Sequence, residues 1–197
     1  QQSQQQQQNN NNNNGLVVPR GKTGELWVRG YSVMKGYWND EKKTKESITE
    51  DGWMKTGDLA SMTEDGYIVI EGRLKDMIIR GGENIYPKEV EEFLYTHPMI
   101  QDVQIVGLPD KKYGEELCAW IILKENKQQQ EHTTHHHITE DDIRNYCKGK
   151  IAHYKIPRYI RFVKSFPLTI SGKVRKIEIR ETMIAELGLN EKKDSLA

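Results

Sequence analysis

Apolar positions along this chain fall into two kinds of run. Between residues 24 and 72 they come in short stretches separated by turns. "GELWVRG" (24–30) and "YIVIEG" (67–72) are rich in apolar, β-branched and aromatic residues and predict strands. Asp51-Gly52 and Asp65-Gly66 mark turns, and the polar "EKKTKESI" (41–48) predicts a short helix or a loop. From about residue 77 helical periods appear between the strands. Val90, Phe93, Leu94 and His97 share one helical face, with Pro87 at the start and Pro98 as a stop. "IQDVQIVG" (100–107), "ELCAWIILK" (116–124) and "RYIRFVKSF" (158–166) predict strands. Thr139 and Asp142 have the spacing of a helix cap, ahead of Ile143, Tyr146 and Cys147 on one face. A last amphipathic helix is expected over 174–187, with Ile177, Ile179, Met183, Ile184 and Leu187 as its apolar members and Gly188 as its stop. The expected fold is α+β: the end of a β-rich N-terminal domain (15–74), then a small, mobile α+β domain (75–189) with room for its own core.

Two polar tracts interrupt this pattern. Residues 1–14 are almost pure Gln and Asn and offer no apolar surface to offset the entropy of ordering, so disorder is expected there. "KENKQQQEHTTHHH" (124–137) reads as a polar loop insertion, and 190–197 as a tail. His132 and His135 to His137 lack the spacing and fixed geometry of a metal site, so no metal ligand is assigned. The chain begins with Gln1 rather than Met, which reads as a fragment.

Charge narrows the function classes. Twenty-nine basic and 29 acidic residues balance, leaving no broad basic field for nucleic acid or an anionic membrane. The apolar run "CAWIIL" (118–123) is far too short to span a bilayer. Cys118 and Cys147 both sit in apolar-patterned segments, which favours a reducing compartment over a disulfide framework.

Four local features could carry chemistry. In "KTGDLA" (55–60), Asp58 is expected in a turn, where its carboxylate either accepts hydrogen bonds from a cis-diol such as ribose or closes an Asx-turn. In "GRLKDMII" (72–79), an extended segment would set Arg73 and Lys75 on one side; it is either a hinge or a solvated edge strand. Gly81-Gly82 allow close backbone approach, or serve an ordinary turn. In "PLTISGKVRK" (167–176), Lys173 follows a glycine, but this is no phosphate-cradling P-loop: Pro167 stands where the first glycine is needed and Val174 where Ser or Thr is needed.

In their order, "GELWVRGYSVMKGYW", "DGWMKTGDLA", "GRLKDMIIRGGENIYPKEVEEFL" and "PLTISGKVRK" resemble the adenylate-forming superfamily of acyl-CoA synthetases, peptide-synthetase adenylation domains and luciferases. The resemblance covers residue 15 to about 189 and leans toward medium-chain acyl-CoA synthetases, with 4-coumarate-CoA-ligase-like enzymes as a near alternative. It implies a two-step ligase that uses ATP, Mg²⁺ and CoA on a fatty acid. Asp58 and Arg73 would hold the nucleotide, Lys173 would act in adenylation, and Lys75 would be the hinge. Gly81 and Gly82, with Glu83 beside them, would line the CoA tunnel. The family's phosphate loop and acidic Mg²⁺ site have no counterpart in this sequence. The expectation is therefore the C-terminal part of a longer ligase, inactive alone, in mitochondria or cytoplasm; a truncated, non-catalytic binding module is the competing reading.

Overall fold

A computed structural model describes residues 16–124 and 138–189. The Gln/Asn tract, nearly all of the expected loop insertion and the tail lie outside the described residues. The chain divides into two units, one ending at Ile70 and the other starting at Glu71.

The first unit holds β1 (Gly24–Val28), α1 (Glu41–Ser47), β2 (Met54–Met62) and the start of β3 (Ile68–Arg73), with the strands in the order β1-β2-β3. Of the two possibilities for 41–48, the helix forms. Asp40 caps it by accepting a hydrogen bond from the Lys43 N–H, and none of its residues is buried.

In the second unit a 3₁₀ turn (Leu74–Asp76) leads to β4 (Ile78–Arg80), β5 (Glu83–Ile85) and α2 (Pro87–Tyr95). Then come β6 (Ile100–Asp110), β7 (Gly114–Leu123), α3 (Glu140–Cys147), β8 (Tyr159–Phe162) and α4 (Lys176–Leu187). The sheet order is β5-β4-β7-β6, and β8 pairs in parallel with β7. The α+β expectation holds.

β7 explains why "CAWIIL" does not alternate. Leu117, Ala119 and Ile121 face one core, with Val90 and Leu94 of α2 and Ile143 and Cys147 of α3. Cys118 and Trp120 face a second core, with Phe166 and with Ile179 and Met183 of α4. A central strand covered by helices on both faces has no polar side to show. Each large aliphatic side chain so buried contributes about 1.5–3 kcal/mol. β6 lies at the edge of the sheet and is paired along nearly its whole length with β7.

The caps follow the sequence. Pro87 opens α2, Thr139 and Asp142 form a reciprocal capping box on α3, and Gly188 ends α4 at φ +62°. Four expectations need correction. Asp58 lies inside the nine-residue strand β2, not in a turn between strands. Leu74–Asp76 is a 3₁₀ turn, so Arg73 and Lys75 do not alternate with Leu74 and Asp76 as in a strand. The strand expected over 158–166 covers only Tyr159–Phe162, because Pro167 and the segment before it leave the sheet. On α4, Ile177 is 69% exposed and Leu187 41%, so only Ile179, Met183 and the half-buried Ile184 reach the core.

Candidate functional site

Asp58 is set by a bulge. β1 and β2 pair Glu25 with Leu59 but Trp27 with Lys55, so Thr56, Gly57 and Asp58 together oppose Leu26. Gly57 takes φ +74°, and the Thr56 hydroxyl donates to the Leu26 carbonyl at 2.8 Å while accepting from the Asp58 N–H at 3.0 Å. The Glu25 carboxylate accepts from the Gly57 N–H at 3.2 Å. Such a bulge re-aims the residue that follows it, and Asp58, half-buried, is that residue.

Gly81 and Gly82 form the tip of the β4–β5 hairpin, between the paired residues Arg80 and Glu83. Both have positive φ, +60° and +88°, as a two-residue type I′ turn requires. Gly82 and Glu83 are exposed. The hairpin stands on a charged base. Arg80 donates to both oxygens of the buried Glu116 carboxylate, at 2.8 and 2.9 Å, and lies 4.5 Å from the centre of the Tyr113 ring. The Gly81 N–H donates to the Tyr113 carbonyl at 2.8 Å. Hydrogen bonds from the Tyr113 and Lys112 N–H groups, with Arg158 nearby, hold the Asp110 carboxyl below its ordinary range despite partial burial. The glycines therefore top a rigid platform.

Lys173 flanks the turn of a second hairpin, in which Leu168 bridges to Val174. The Gly172 N–H donates to the Thr169 carbonyl at 2.9 Å, and the Thr169 N–H to the Lys173 carbonyl at 2.8 Å. The Thr169 hydroxyl accepts from the Lys173 N–H at 3.0 Å. Gly172 at φ +80° completes a three-residue turn of Ile170, Ser171 and Gly172. The glycine before Lys173 permits a tight, hydrogen-bonded turn. Lys173 itself is exposed and, among the described residues, has no ion-pair partner.

Sequence reasoning missed what holds this hairpin in place. As the edge strand, β6 turns the N–H and C=O of Ile105 away from β7. Glu91 of α2 accepts the Ile105 N–H at 2.8 Å. Lys176, the first residue of α4, donates to the same Glu91 oxygen at 2.7 Å and to the Ile105 carbonyl at 3.3 Å. One turn further on, Arg180 donates to the Gly107 carbonyl at 3.0 Å. Glu91 and Lys176 are 85 residues apart, and no local spacing signals the pairing.

The same region touches the expected hinge. Lys75 and Asp76 line a cavity of about 100 Å³ with Gly107, Glu115, Lys176 and Arg180. Arg73 lies at the exposed end of β3. The Gly81-Gly82 tip and the Lys173 hairpin stand on different elements, β4–β5 and the β8–α4 connection.

Burial pushes the Cys118 thiol up to about 12 and the Cys147 thiol up to about 11, so neither supplies a thiolate at neutral pH. Among the described residues no three His, Cys, Asp or Glu side chains gather as a metal site, and no helix is long and apolar enough to cross a membrane.

Residues 89–173 match the AMP-binding enzyme C-terminal domain. The chain is 55% identical over 175 residues to the mitochondrial medium-chain acyl-CoA ligase ACSF2 of Danio rerio, an alignment that covers 89% of this chain and 27% of the relative. It is 55% identical over 173 residues to the putative acyl-CoA synthetase YngI of Bacillus subtilis, covering 88% of this chain and 30% of that one. The chain thus spans less than a third of the length of these relatives. Among solved structures, ATP-bound MatB from Rhodopseudomonas palustris superposes with a TM-score of 0.76 at 35% identity, covering 86% of this chain and 32% of that one.

Proposed function

We propose, from the premise that residues 89–173 are an AMP-binding enzyme C-terminal domain, that this chain is the C-terminal part of an ATP-dependent fatty acid–CoA ligase. The observation that carries the reading is Lys173: a cation without an ion-pair partner among the described residues, exposed beside the turn of a hydrogen-bonded hairpin. A surface lysine with no task needs no such mounting. Adenylation does need a positioned cation.

In the first half-reaction a carboxylate oxygen attacks the α-phosphorus of ATP. The bond from that phosphorus to pyrophosphate breaks, and acyl-adenylate and pyrophosphate result. Charge accumulates between the attacking carboxylate and the α-phosphate. A lysine delivered there in fixed geometry stabilises it without reorganisation at the moment of reaction. Asp58 would accept hydrogen bonds from the ribose hydroxyls, its carboxylate aimed by the bulge at Gly57. Arg73, at the end of β3, would contact the same nucleotide.

In the second half-reaction the CoA sulfur attacks the acyl carbon, its proton is lost, and AMP leaves. The Gly81-Gly82 tip, with Glu83 beside it, would line the channel for the thiol arm, where a side chain would obstruct it. Lys75 would be the pivot about which the second unit turns between the two steps. The described residues gather no Mg²⁺ site, so the proposal leaves that ion's ligands to the remainder of the parent enzyme. The relatives named mitochondrial favour that compartment for the parent.

The test uses the full-length parent. Lys173→Ala should lower fatty-acid-dependent ATP–pyrophosphate exchange by about 10²–10³-fold, the usual cost of removing one electrostatic stabiliser. Thioester formation from supplied acyl-adenylate should stay close to wild type. Equal loss of both steps would refute the role of Lys173. No exchange with any fatty acid in the wild-type parent would refute the ligase reading.

A further inference from the structure

We propose that Lys176, clasped by Glu91 and Ile105, is a positioning residue for adenylation: it sets the direction in which the Lys173 hairpin leaves the second unit. The inference rests on the ligase reading given above.

The hairpin has two kinds of attachment. Phe166 and Val174 pack at its foot against the core formed by Val106, Leu108, Trp120, Ile179 and Met183. Apolar contact is non-directional: it fixes how deep the hairpin is rooted but resists tilting weakly. The Arg175 N–H closes the foot by donating to the Pro167 carbonyl at 2.9 Å, yet this bond ties the hairpin to itself and not to the body of the unit.

The clasp is directional. Lys176 lies three positions beyond Lys173, and its ammonium turns inward while that of Lys173 is exposed. It donates to a Glu91 oxygen at 2.7 Å and to the Ile105 carbonyl at 3.3 Å. The same Glu91 oxygen accepts the Ile105 N–H at 2.8 Å. Lysine, carboxylate and peptide thus close a ring. The ring is well sheltered, the two side chains being 24% and 14% exposed. Charge-assisted hydrogen bonds in such a setting are short and orienting.

The clasp joins α2, β6 and the first residue of α4, one from each layer of the unit. Arg180 adds a second tie, from α4 to the Gly107 carbonyl. With α4 tied to the sheet edge at both points, the segment immediately before it points one way. Lys173 acts only if it meets reacting atoms at near-attack distance, and a misplacement of about 1 Å costs roughly 100-fold.

The charge on Lys176 is also occupied. A second free cation three residues from Lys173 would compete for the same anionic substrate. Paired with Glu91, it does not.

The experiment compares Lys176→Met, Lys176→Arg and Glu91→Gln in the full-length parent, with unfolding midpoints measured alongside. Lys176→Met keeps the apolar stem and removes the ammonium. It should lower ATP–pyrophosphate exchange by about 10–100-fold, with thioester formation from supplied acyl-adenylate within about threefold of wild type. Lys176→Arg should recover most of the exchange, because a guanidinium can reach the same two acceptors. If Lys176→Met fails to fold, Glu91→Gln decides the matter, since the amide oxygen still accepts the Ile105 N–H while the charge is gone. A second readout needs no turnover: in the present chain, hydrogen exchange at the Ile105 amide, which the clasp holds, should quicken in Lys176→Met. Exchange activity unchanged by both Lys176→Met and Glu91→Gln would overturn the proposal. So would equal loss of both half-reactions, or an Ile105 amide that exchanges as in wild type. A wild-type parent that adenylates no fatty acid would instead sink the ligase reading, leaving the Ile105 amide measurement to judge the clasp.

Discussion

His97 shows how one side chain can make the second unit sensitive to acid. It follows α2, is 9% exposed, and accepts a hydrogen bond at Nδ1 from the Met99 N–H at 3.2 Å. The Tyr146 ring meets it edge-on with centroids 4.6 Å apart. Burial, helped by Lys150 and Lys124 and opposed by Asp142, holds its pKa below the ordinary 6.5. Below that ordinary value the unfolded chain takes up a proton that the folded chain refuses. The stability from neutral His97 is thus complete above pH 6.5 and is lost as pH falls below it. Urea unfolding at pH 7.5 and 5.5 should show a midpoint that falls with acid, and His97→Gln should flatten that dependence. A wild-type midpoint that rises on acidification would refute the assignment. The apolar period put His97 on the core side and its burial was legible, although α2 ends at Tyr95 before it; its protonation state depends on Lys150 and Asp142, which only folding brings near. Lys176 is the stronger case. Its sequence context, a basic residue among others, says nothing of Glu91, whereas Lys173 was singled out by the motif around it.

Among the elements, helices and caps were read most faithfully, because their signals are local: Thr139 with Asp142, Pro87 and Gly188 each act within a turn. The β4–β5 hairpin was not foreseen as a hairpin. Its strands have three residues each, too short to show a period, and their pairing depends on β7. The hairpin also changes how the glycines should be tested. A bulky residue at Gly82 would damage the turn itself, since φ is +88° there, and would confuse strain with obstruction. Asparagine tolerates positive φ, and a Cβ at Gly82 would meet nothing among the described residues within 4 Å beyond its chain neighbours. Gly82→Asn should therefore cost the fold on the order of 1 kcal/mol while slowing thioester formation in the parent on the order of tenfold and leaving adenylation intact. Thermal unfolding of the present chain and the two half-reactions of the parent measure these separately. An unaffected thioester step would count against the glycine channel.

For the molecule as a whole, the order of motifs made the match to the AMP-binding enzyme C-terminal domain legible, with the connection between units expected near "GRLKDMII" and the division falling between Ile70 and Glu71. The conformation of that connection was not, because alternation of polar and apolar residues over so few positions fits a 3₁₀ turn as well as a strand. The difference sharpens what proline should do at Lys75. A proline there fixes its own φ near −65° and drives the residue before it toward extended conformations. Leu74 opens the 3₁₀ turn, with the Met77 N–H donating to its carbonyl at 3.3 Å, so Lys75→Pro disfavours the turn itself. If the second unit alternates between two orientations about this point, the variant is confined to the one in which Leu74 is extended. Its steady-state CoA-ester formation should then fall by about 100-fold or more, because each cycle needs both orientations. One half-reaction, assayed alone, should survive, and it identifies which step uses the orientation with extended Leu74. Unimpaired turnover would exclude Lys75 as the pivot. Loss of both half-reactions with an unchanged unfolding midpoint would show that the 3₁₀ turn is needed in both orientations, and would move the pivot to the extended residues Arg73 or Met77 on either side of it.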